Sequence, residues 1–249
     1  MCSIICYTGK DMGKEEIERY LQRTRMRGPD DCRIIETPFG YMGFSRLAIM
    51  GLTAEGMQPF EREGSLAVCN GEIYGFRRIK EELQERGYDF NSGSDCEVLL
   101  PLFEEYNTEM FSHLDAEYAC VLYDHKSGAL LAARDPIGIR PLFYGYSGSG
   151  HIAFASEPQN LVGWVDQIRP FPPGHYYTNG KFISYEDITT VGGYVHGDLE
   201  TITGQIHDKL TEGVRKRLDA DAPMGFLLSG GLDSSLVCAI AAKLLHRPI

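Results

Sequence analysis

An α+β layered fold is predicted for residues 2–195 of this 249-residue chain. Two observations predict it. Short apolar segments follow one another with turn residues between them, as in antiparallel hairpins. Helix-type spacing is grouped between these segments rather than alternating with them one for one. A third observation sets residues 196–249 apart: after Gly192-Gly193 the pattern changes to long helix, short strand, glycine loop and helix, the opening of an α/β nucleotide-binding domain.

The elements follow in order. Ile4 to Tyr7 and Gly43 to Ile49 read as strands, and Leu66 to Cys69 joins Ile73-Tyr74 across Asn70-Gly71, a dipeptide suited to positive φ in a tight turn. Helix spacing covers Lys14 to Arg25, Phe76 to Arg86 and Ser94 to Tyr106. The third of these opens on Ser94-Asp95-Cys96-Glu97, which has the form of a capping box. Strands at Tyr118 to Asp124, Ala129 to Arg134, Leu142 to Tyr146 and Ile152 to Ala155, with turns at Lys126-Ser127-Gly128 and Gly148-Ser149-Gly150, make the pattern of a meander. Beyond the Gly192-Gly193 break, Ile202, Ile206, Leu210, Val214 and Leu218 place an apolar stripe on one long helix. Met224 to Leu228 reads as a strand, Ser229-Gly230-Gly231 as a turn and Ser234 to Leu245 as a helix. The sequence ends at Ile249, so most of this second domain is expected to lie outside it.

Composition narrows the function classes. No apolar run approaches the twenty or so residues of a membrane span, so no membrane partner is expected. A net charge of −11, with basic pairs such as Arg77-Arg78 followed at once by acidic residues, argues against nucleic acid. The seven cysteines are odd in number and none has C-x-x-C spacing, which fits a reducing, cytoplasmic setting. Met1-Cys2-Ser3-Ile4 lacks a basic region followed by a long apolar core, so residue 2 is expected close to a mature N-terminus. The seven histidines are scattered without metal-ligand spacing, and no protein-held metal is predicted.

Three groups of residues carry candidate chemistry. Removal of Met1 places a thiol and a free α-amine on Cys2, so one residue supplies both nucleophile and base. In Asn70-Gly71-Glu72-Ile73-Tyr74, a side-chain amide beside an unobstructed glycine N–H is the donor pair that a tetrahedral oxyanion requires. The Asp95 carboxylate and the Arg46 guanidinium have the charges to clamp the α-ammonium and α-carboxylate of a free amino acid.

Together with Arg27-Gly28-Pro29-Asp30, Ser45-Arg46-Leu47, Gly93-Ser94-Asp95, Arg134-Asp135-Pro136-Ile137-Gly138-Ile139-Arg140-Pro141-Leu142 and Ala155-Ser156-Glu157, these segments stand in the order found in class II glutamine amidotransferases, a branch of the N-terminal-nucleophile hydrolases that the chain resembles over about residues 2–190. The resemblance implies a four-layer αββα sandwich of antiparallel sheets. It makes Cys2 the nucleophile, Asn70 and Gly71 the oxyanion hole, and Arg46, Leu47, Ile49, Met50, Glu72 and Asp95 glutamine-binding groups, with no cofactor for this step. Two positions depart from the family pattern: Met26 stands where histidine is usual and Gly75 where asparagine is usual; neither replaces a residue assigned to chemistry, and both are positions able to alter the glutamine-pocket loops.

Leu227-Leu228-Ser229-Gly230-Gly231-Leu232-Asp233-Ser234-Ser235 offers glycine N–H groups and hydroxyls ahead of a helix, an arrangement suited to phosphate. It lacks the Gly-Lys-Ser/Thr ending of a Walker loop and resembles the pyrophosphate loop of ATP pyrophosphatases. A class II glutaminase followed by that loop resembles the glutamine-hydrolysing asparagine synthetases. This resemblance implies ATP and Mg2+ at Leu227, Ser229, Gly230, Gly231, Leu232, Asp233, Ser234 and Ser235, aspartate as ammonia acceptor, and a homodimer. An amidotransferase with another carboxylate acceptor, or a binding fragment silenced by retained Met1, are the alternatives.

Overall fold

The computed structural model describes residues 1–247, which divide into two compact units, residues 1–188 and the segment from Thr189 onward.

The first unit holds two six-stranded antiparallel sheets. Strands β1 (Ser3–Tyr7), β2 (Asp31–Thr37), β3 (Gly40–Arg46), β8 (Phe143–Ser147), β9 (Ile152–Ala155) and β10 (Val165–Pro170) form one, in the order β10-β8-β9-β1-β3-β2. The other contains β4 (Phe60–Arg62), β5 (Ser65–Ile73), β6 (Ala116–Tyr123), β7 (Leu130–Arg134), β11 (His175–Thr178) and β12 (Lys181–Ser184), in the order β12-β11-β7-β6-β5-β4. Strand period decides which residues meet between the sheets. Ile4 and Cys6 of β1 join Met42, Phe44, Val68, Ala119 and Val121 in the core between the sheets. Ile5 and Tyr7, one residue out of phase, pack instead with Ile17 and Leu21 of helix α1 (Lys14–Gln22). Because both faces of β1 are covered, all five of its residues are buried.

Helices α2 (Phe76–Glu85), α3 (Leu99–Tyr106) and α4 (Met110–His113) lie on the side of the second sheet. Leu99, Leu100 and Leu102 of α3 are buried, and Phe111 of α4 stacks on Tyr118 and Tyr176. Helix, sheet, sheet and helices are the four layers of an αββα sandwich. Each fully buried Leu, Ile or Phe in these layers contributes roughly 1.5–3 kcal/mol.

Three expectations for this unit are corrected. Asn70-Gly71 is not a turn: β5 runs unbroken through it, with Asn70 paired to Ala119 and Gly71 to Tyr118. The glycine is required there for space, because a Cβ at Gly71 would stand 2.7 Å from the Glu117 carbonyl oxygen and 2.8 Å from Tyr118 Cβ. Ser94 makes no side-chain cap bond. Glu97 is drawn away by the Asn91 and Ser92 N–H groups and by Lys80, so the chain enters α3 through a tight turn at Asp95–Val98 rather than a capping box. The four strands read as a meander are shared between the sheets, β6 and β7 in one, β8 and β9 in the other. The crossing is the 135–142 loop. Asp135, fully buried, accepts from the N–H groups of Tyr118, Ile137, Gly138, Ile139 and Arg140 and so replaces the sheet bonds the loop gives up.

In the second unit the apolar stripe forms α5 (Leu199–Arg217), whose first turn is capped by Asp198 accepting from Thr201 N–H at 2.8 Å. Helix α6 spans Leu232–Leu245. The strand expected at Met224 to Leu228 is absent: this stretch is irregular, and Leu227 is 95% exposed. A strand needs a neighbour to satisfy its N–H and C=O groups, and among the described residues no strand pairs with it.

Candidate active site

Cys2 precedes β1 and packs against the rim of the core between the sheets. Its parity with Ile4 and Cys6 turns the thiol toward β5, where Asn70 and Glu72 continue the inward parity of Leu66 and Val68. The Sγ atom receives the Leu47 N–H at 3.4 Å and donates to the Leu47 carbonyl at 3.4 Å. Burial pushes the Cys2 thiol up, and the Leu47 N–H opposes this. The chain-terminal amine, here on Met1, is held below its ordinary value, first by burial and then by Arg27 and Arg140.

One pocket gathers Cys2, Arg46, Leu47, Ile49, Met50, Gly71, Glu72 and Asp95. All eight were singled out in the sequence. Asn70 lies just behind this lining, 1% exposed, and its Nδ2 has no hydrogen-bond partner. A buried amide N–H that finds no protein acceptor is uncommon and costs about 1–3 kcal/mol. Asn70 lies on the inward face of β5, the face toward which the Cys2 thiol is turned.

Charge is distributed asymmetrically around the pocket. Arg46, 6% exposed, donates from Nη1 to the Thr53 carbonyl at 2.7 Å and from Nη2 to the Gly51 carbonyl, which ties the 47–56 loop over the site. Gly51 has φ +58 and lies so close to Gly93 and Ser94 that a Cβ would strike backbone, so this loop and the turn carrying Asp95 are packed together. Asp95 accepts the Ile73 N–H at 2.8 Å; burial nevertheless pushes its carboxyl up. Glu72 is pushed up to about 7, first by burial and next by the Asp95 charge, with Arg140 opposing.

Further residues, not singled out beforehand as site residues, complete the site. Phe44, Gly56, Gln58, Cys69, Ser94 and Cys96 also line the pocket. Gln58 bonds both to the Cys69 N–H, at 2.6 Å, and to the Cys69 carbonyl, at 3.1 Å, acting as a short extra strand beside β5. Arg27 donates from Nε to the Cys2 carbonyl at 3.1 Å and from Nη1 to Glu157 at 2.8 Å, and Ser156 Oγ receives the Ile4 N–H at 2.9 Å. Period-two counting along β3 would have found Phe44, two residues before Arg46; no local pattern marks Gln58. Neither Met26, 92% exposed, nor Gly75 lines the pocket.

In the second unit, Leu227, Ser229, Gly230, Gly231, Leu232, Asp233 and Ser235 are exposed and Ser234 half-buried. Gly230 has φ +83, which lets the loop turn into α6, and the Ser234 and Ser235 hydroxyls donate to the Gly231 carbonyl at 3.2 and 2.7 Å. The loop is thus preformed, with the unpaired N–H groups of the first turn of α6 next to it.

Comparison with known proteins agrees with this geometry. Residues 1–181 match the family described as glutamine amidotransferase domain, and residues 205–249 match the family described as asparagine synthase. A probable glutamine-hydrolysing asparagine synthetase of Acanthamoeba polyphaga mimivirus is 38% identical, aligned over 98% of this chain and 50% of that protein. Asparagine synthetase B of Escherichia coli K12 is 35% identical over 100% of this chain and 46% of its own length. The chain therefore spans about half the length of the curated relatives it matches. Among solved structures, an allosteric regulatory enzyme of purine biosynthesis superposes with TM-score 0.65 at 20% identity, over 75% of this chain and 49% of that one. Glutamine phosphoribosylpyrophosphate amidotransferase from B. subtilis superposes with TM-score 0.64 at 16% identity, over 100% of this chain and 65% of that one. At such identities the superpositions speak for the fold. With a four-layer sandwich, a thiol at the head of a central strand and a domain match over residues 1–181, the chain belongs to the glutamine amidotransferase domain family.

Proposed function

We propose that the first unit hydrolyses glutamine to glutamate and ammonia, with Cys2 as nucleophile. The observation that carries this reading is Asn70 Nδ2, buried without a partner on the face of β5 turned toward Cys2. Once Met1 is removed, the Cys2 α-amine takes the thiol proton as sulfur attacks the carboxamide carbon. The oxyanion that develops is received by Asn70 Nδ2 and the Gly71 N–H. Collapse breaks the C–N bond, and the amine passes its proton to the departing ammonia. Water then cleaves the thioester to release glutamate. Arg46 faces the substrate α-carboxylate, and Asp95 and Glu72 face its α-ammonium. Leu47, Ile49 and Met50 form the apolar wall beside the substrate methylenes.

The relatives named as asparagine synthetases support a wider reading in which this ammonia amidates aspartate in a longer polypeptide. There the Ser229 to Ser235 loop is suited to hold ATP phosphates, with Leu227 and Leu232 beside the nucleotide and Asp233 toward Mg2+; the preformed turn at Gly230 and the free N–H groups of α6 fit an anion of that kind. Bound ATP supplies activation of the acceptor carboxylate.

The test is intact mass and turnover. Protein lacking Met1 is expected to release glutamate from glutamine and to gain one adduct from an electrophilic diazoketone glutamine analogue at Cys2. Cys2→Ala, still folded, is expected to lose both; label on another side chain or undiminished turnover rejects the reading. Asparagine formation from glutamine, Mg-ATP and aspartate by a polypeptide of the relatives' full length tests the acceptor.

A further inference from the structure

Glu72 and Glu117 are direct cross-strand partners on β5 and β6. Two carboxylates at such a position repel one another, and Asp95 adds a third negative charge beside Glu72. One guanidinium, that of Arg140, is paired with both Glu117 and Glu72. Arg140 places Nη2 2.8 Å from Glu117 Oε1 and 4.0 Å from Glu72 Oε1, with its side chain 8% exposed. Glu72 lines the pocket, whereas Arg140 and Glu117 do not.

The backbone of Arg140 is fixed at both ends of the residue. Its N–H donates to Asp135 Oδ2 at 3.0 Å, and its carbonyl accepts from Arg134 Nε at 2.7 Å. Arg134 also donates from Nη2 to the Gly138 carbonyl and from Nη1 to the Phe171 carbonyl, both at 2.8 Å, so the whole 135–140 turn is clamped. A guanidinium delivered from so rigid a turn has little freedom to leave the carboxylate pair. Its Nε is buried and has no partner, so the residue is not placed there to complete its own hydrogen bonds.

We propose that Arg140, anchored by Glu117, is a positioning residue that holds the Glu72 carboxylate in place and favours its anionic form at the wall of the pocket. The inference rests on the reading of Glu72 as a contact for the substrate ammonium and adds the group that draws that contact toward its anionic form. The charges facing Glu72 are Asp95 from the turn before α3, Glu117 from β6, Arg140 from the 135–142 loop and the terminal amine ahead of β1, with the Cys2 thiol close by. Glu117 competes with Glu72 for the single guanidinium; removing either partner therefore moves Glu72 in opposite directions.

The experiment follows the Glu72 carboxyl by carbon-13 NMR across pH 5 to 9 in the parent and in Arg140→Gln, Glu117→Gln and the double variant, with KM and kcat for glutamine measured on the same samples. Arg140→Gln is expected to move the Glu72 midpoint up by about one pH unit and Glu117→Gln to move it down by about one unit, the double variant returning toward the parent. KM at neutral pH is expected to rise several-fold in Arg140→Gln and to recover at alkaline pH, with kcat little changed. If Arg140→Gln does not fold, Arg140→Lys, which keeps the charge and lacks the planar fork, carries the test, with a smaller upward movement of the Glu72 midpoint expected. A Glu72 midpoint that stays put in the Arg140 variant that folds overturns the proposal. Midpoints that move as expected in protein that neither binds nor hydrolyses glutamine leave the Arg140 assignment standing and reject the glutamine reading instead.

Discussion

Arg27 donates to the carbonyl of Cys2 at 3.1 Å and, through its other arm, to Glu157 at 2.8 Å. The carbonyl of Cys2, the proposed nucleophile, is thereby tied to Glu157 just past the end of β9, and thiol and amine are left to turn only about the remaining bonds of Cys2. Arg27→Met is expected to lower kcat for glutamine about tenfold and to leave KM nearly unchanged, because the loss is of orientation at the reacting sulfur rather than of substrate contact. Steady-state glutamate release measures both.

Asn70→Ala separates catalysis from stability. Removing the unpartnered buried donor relieves its cost and offsets the packing lost with the side chain, so the variant is expected to be within about 1 kcal/mol of the parent in stability, while kcat falls on the order of 100- to 1000-fold. Urea denaturation and turnover on one preparation check this; a large loss of stability with turnover retained contradicts the role given to Nδ2.

Gly71→Ala acts through space. The new methyl meets the Glu117 carbonyl oxygen and Tyr118 Cβ inside van der Waals distance, and neither belongs to a flexible side-chain end. A destabilisation of roughly 1–3 kcal/mol is expected, with loss of glutamate release from the fraction that folds. Denaturant midpoints report the first effect.

Glu72 makes a prediction with a sign. Its carboxyl rises from an ordinary 4.5 to about 7, so the folded protein favours the protonated form. The stability this gives is fully present below pH 4.5 and is lost as pH rises through 7. Glu72→Gln cannot ionise and is therefore expected to exceed the parent in stability at pH 8, by up to about 3 kcal/mol, and to match it near pH 4. Its KM for glutamine is expected to rise and to lose the acid limb. Chemical denaturation at the two pH values decides the first point, and a KM profile decides the second.

Much of this was legible in the sequence, for identifiable reasons. Strands such as β1, β6 and β7 carry dense apolar runs, and α1 and α5 carry clean four-residue spacing, so local pattern and tertiary demand agree. Asn70-Gly71 misled because a dipeptide that favours a turn also suits a strand whose neighbour presses too close for a side chain. Strand β2 alternates weakly since most of its residues lie at an exposed edge, and β12 is almost entirely exposed. Met224 to Leu228 has the composition of a strand and no partner to pair with. At the pocket, Cys2, Arg46 and Asp95 announce themselves by chemistry, whereas Glu72 was marked only by the family resemblance. Gln58 does not, since its work of bridging Cys69 depends on a contact eleven positions away that no spacing rule encodes.

The thiol sits at the very head of a strand flanked by β9 on one side and β3 on the other, and the terminal amine beside it feels the charges of Arg27, Arg140 and Glu72. A purification handle fused at that end would deny the sulfur its companion nitrogen. Recombinant material intended for assay should carry its handle at the opposite terminus and be expressed where a methionine aminopeptidase can trim the first residue, for which the small side chain of Cys2 is well suited.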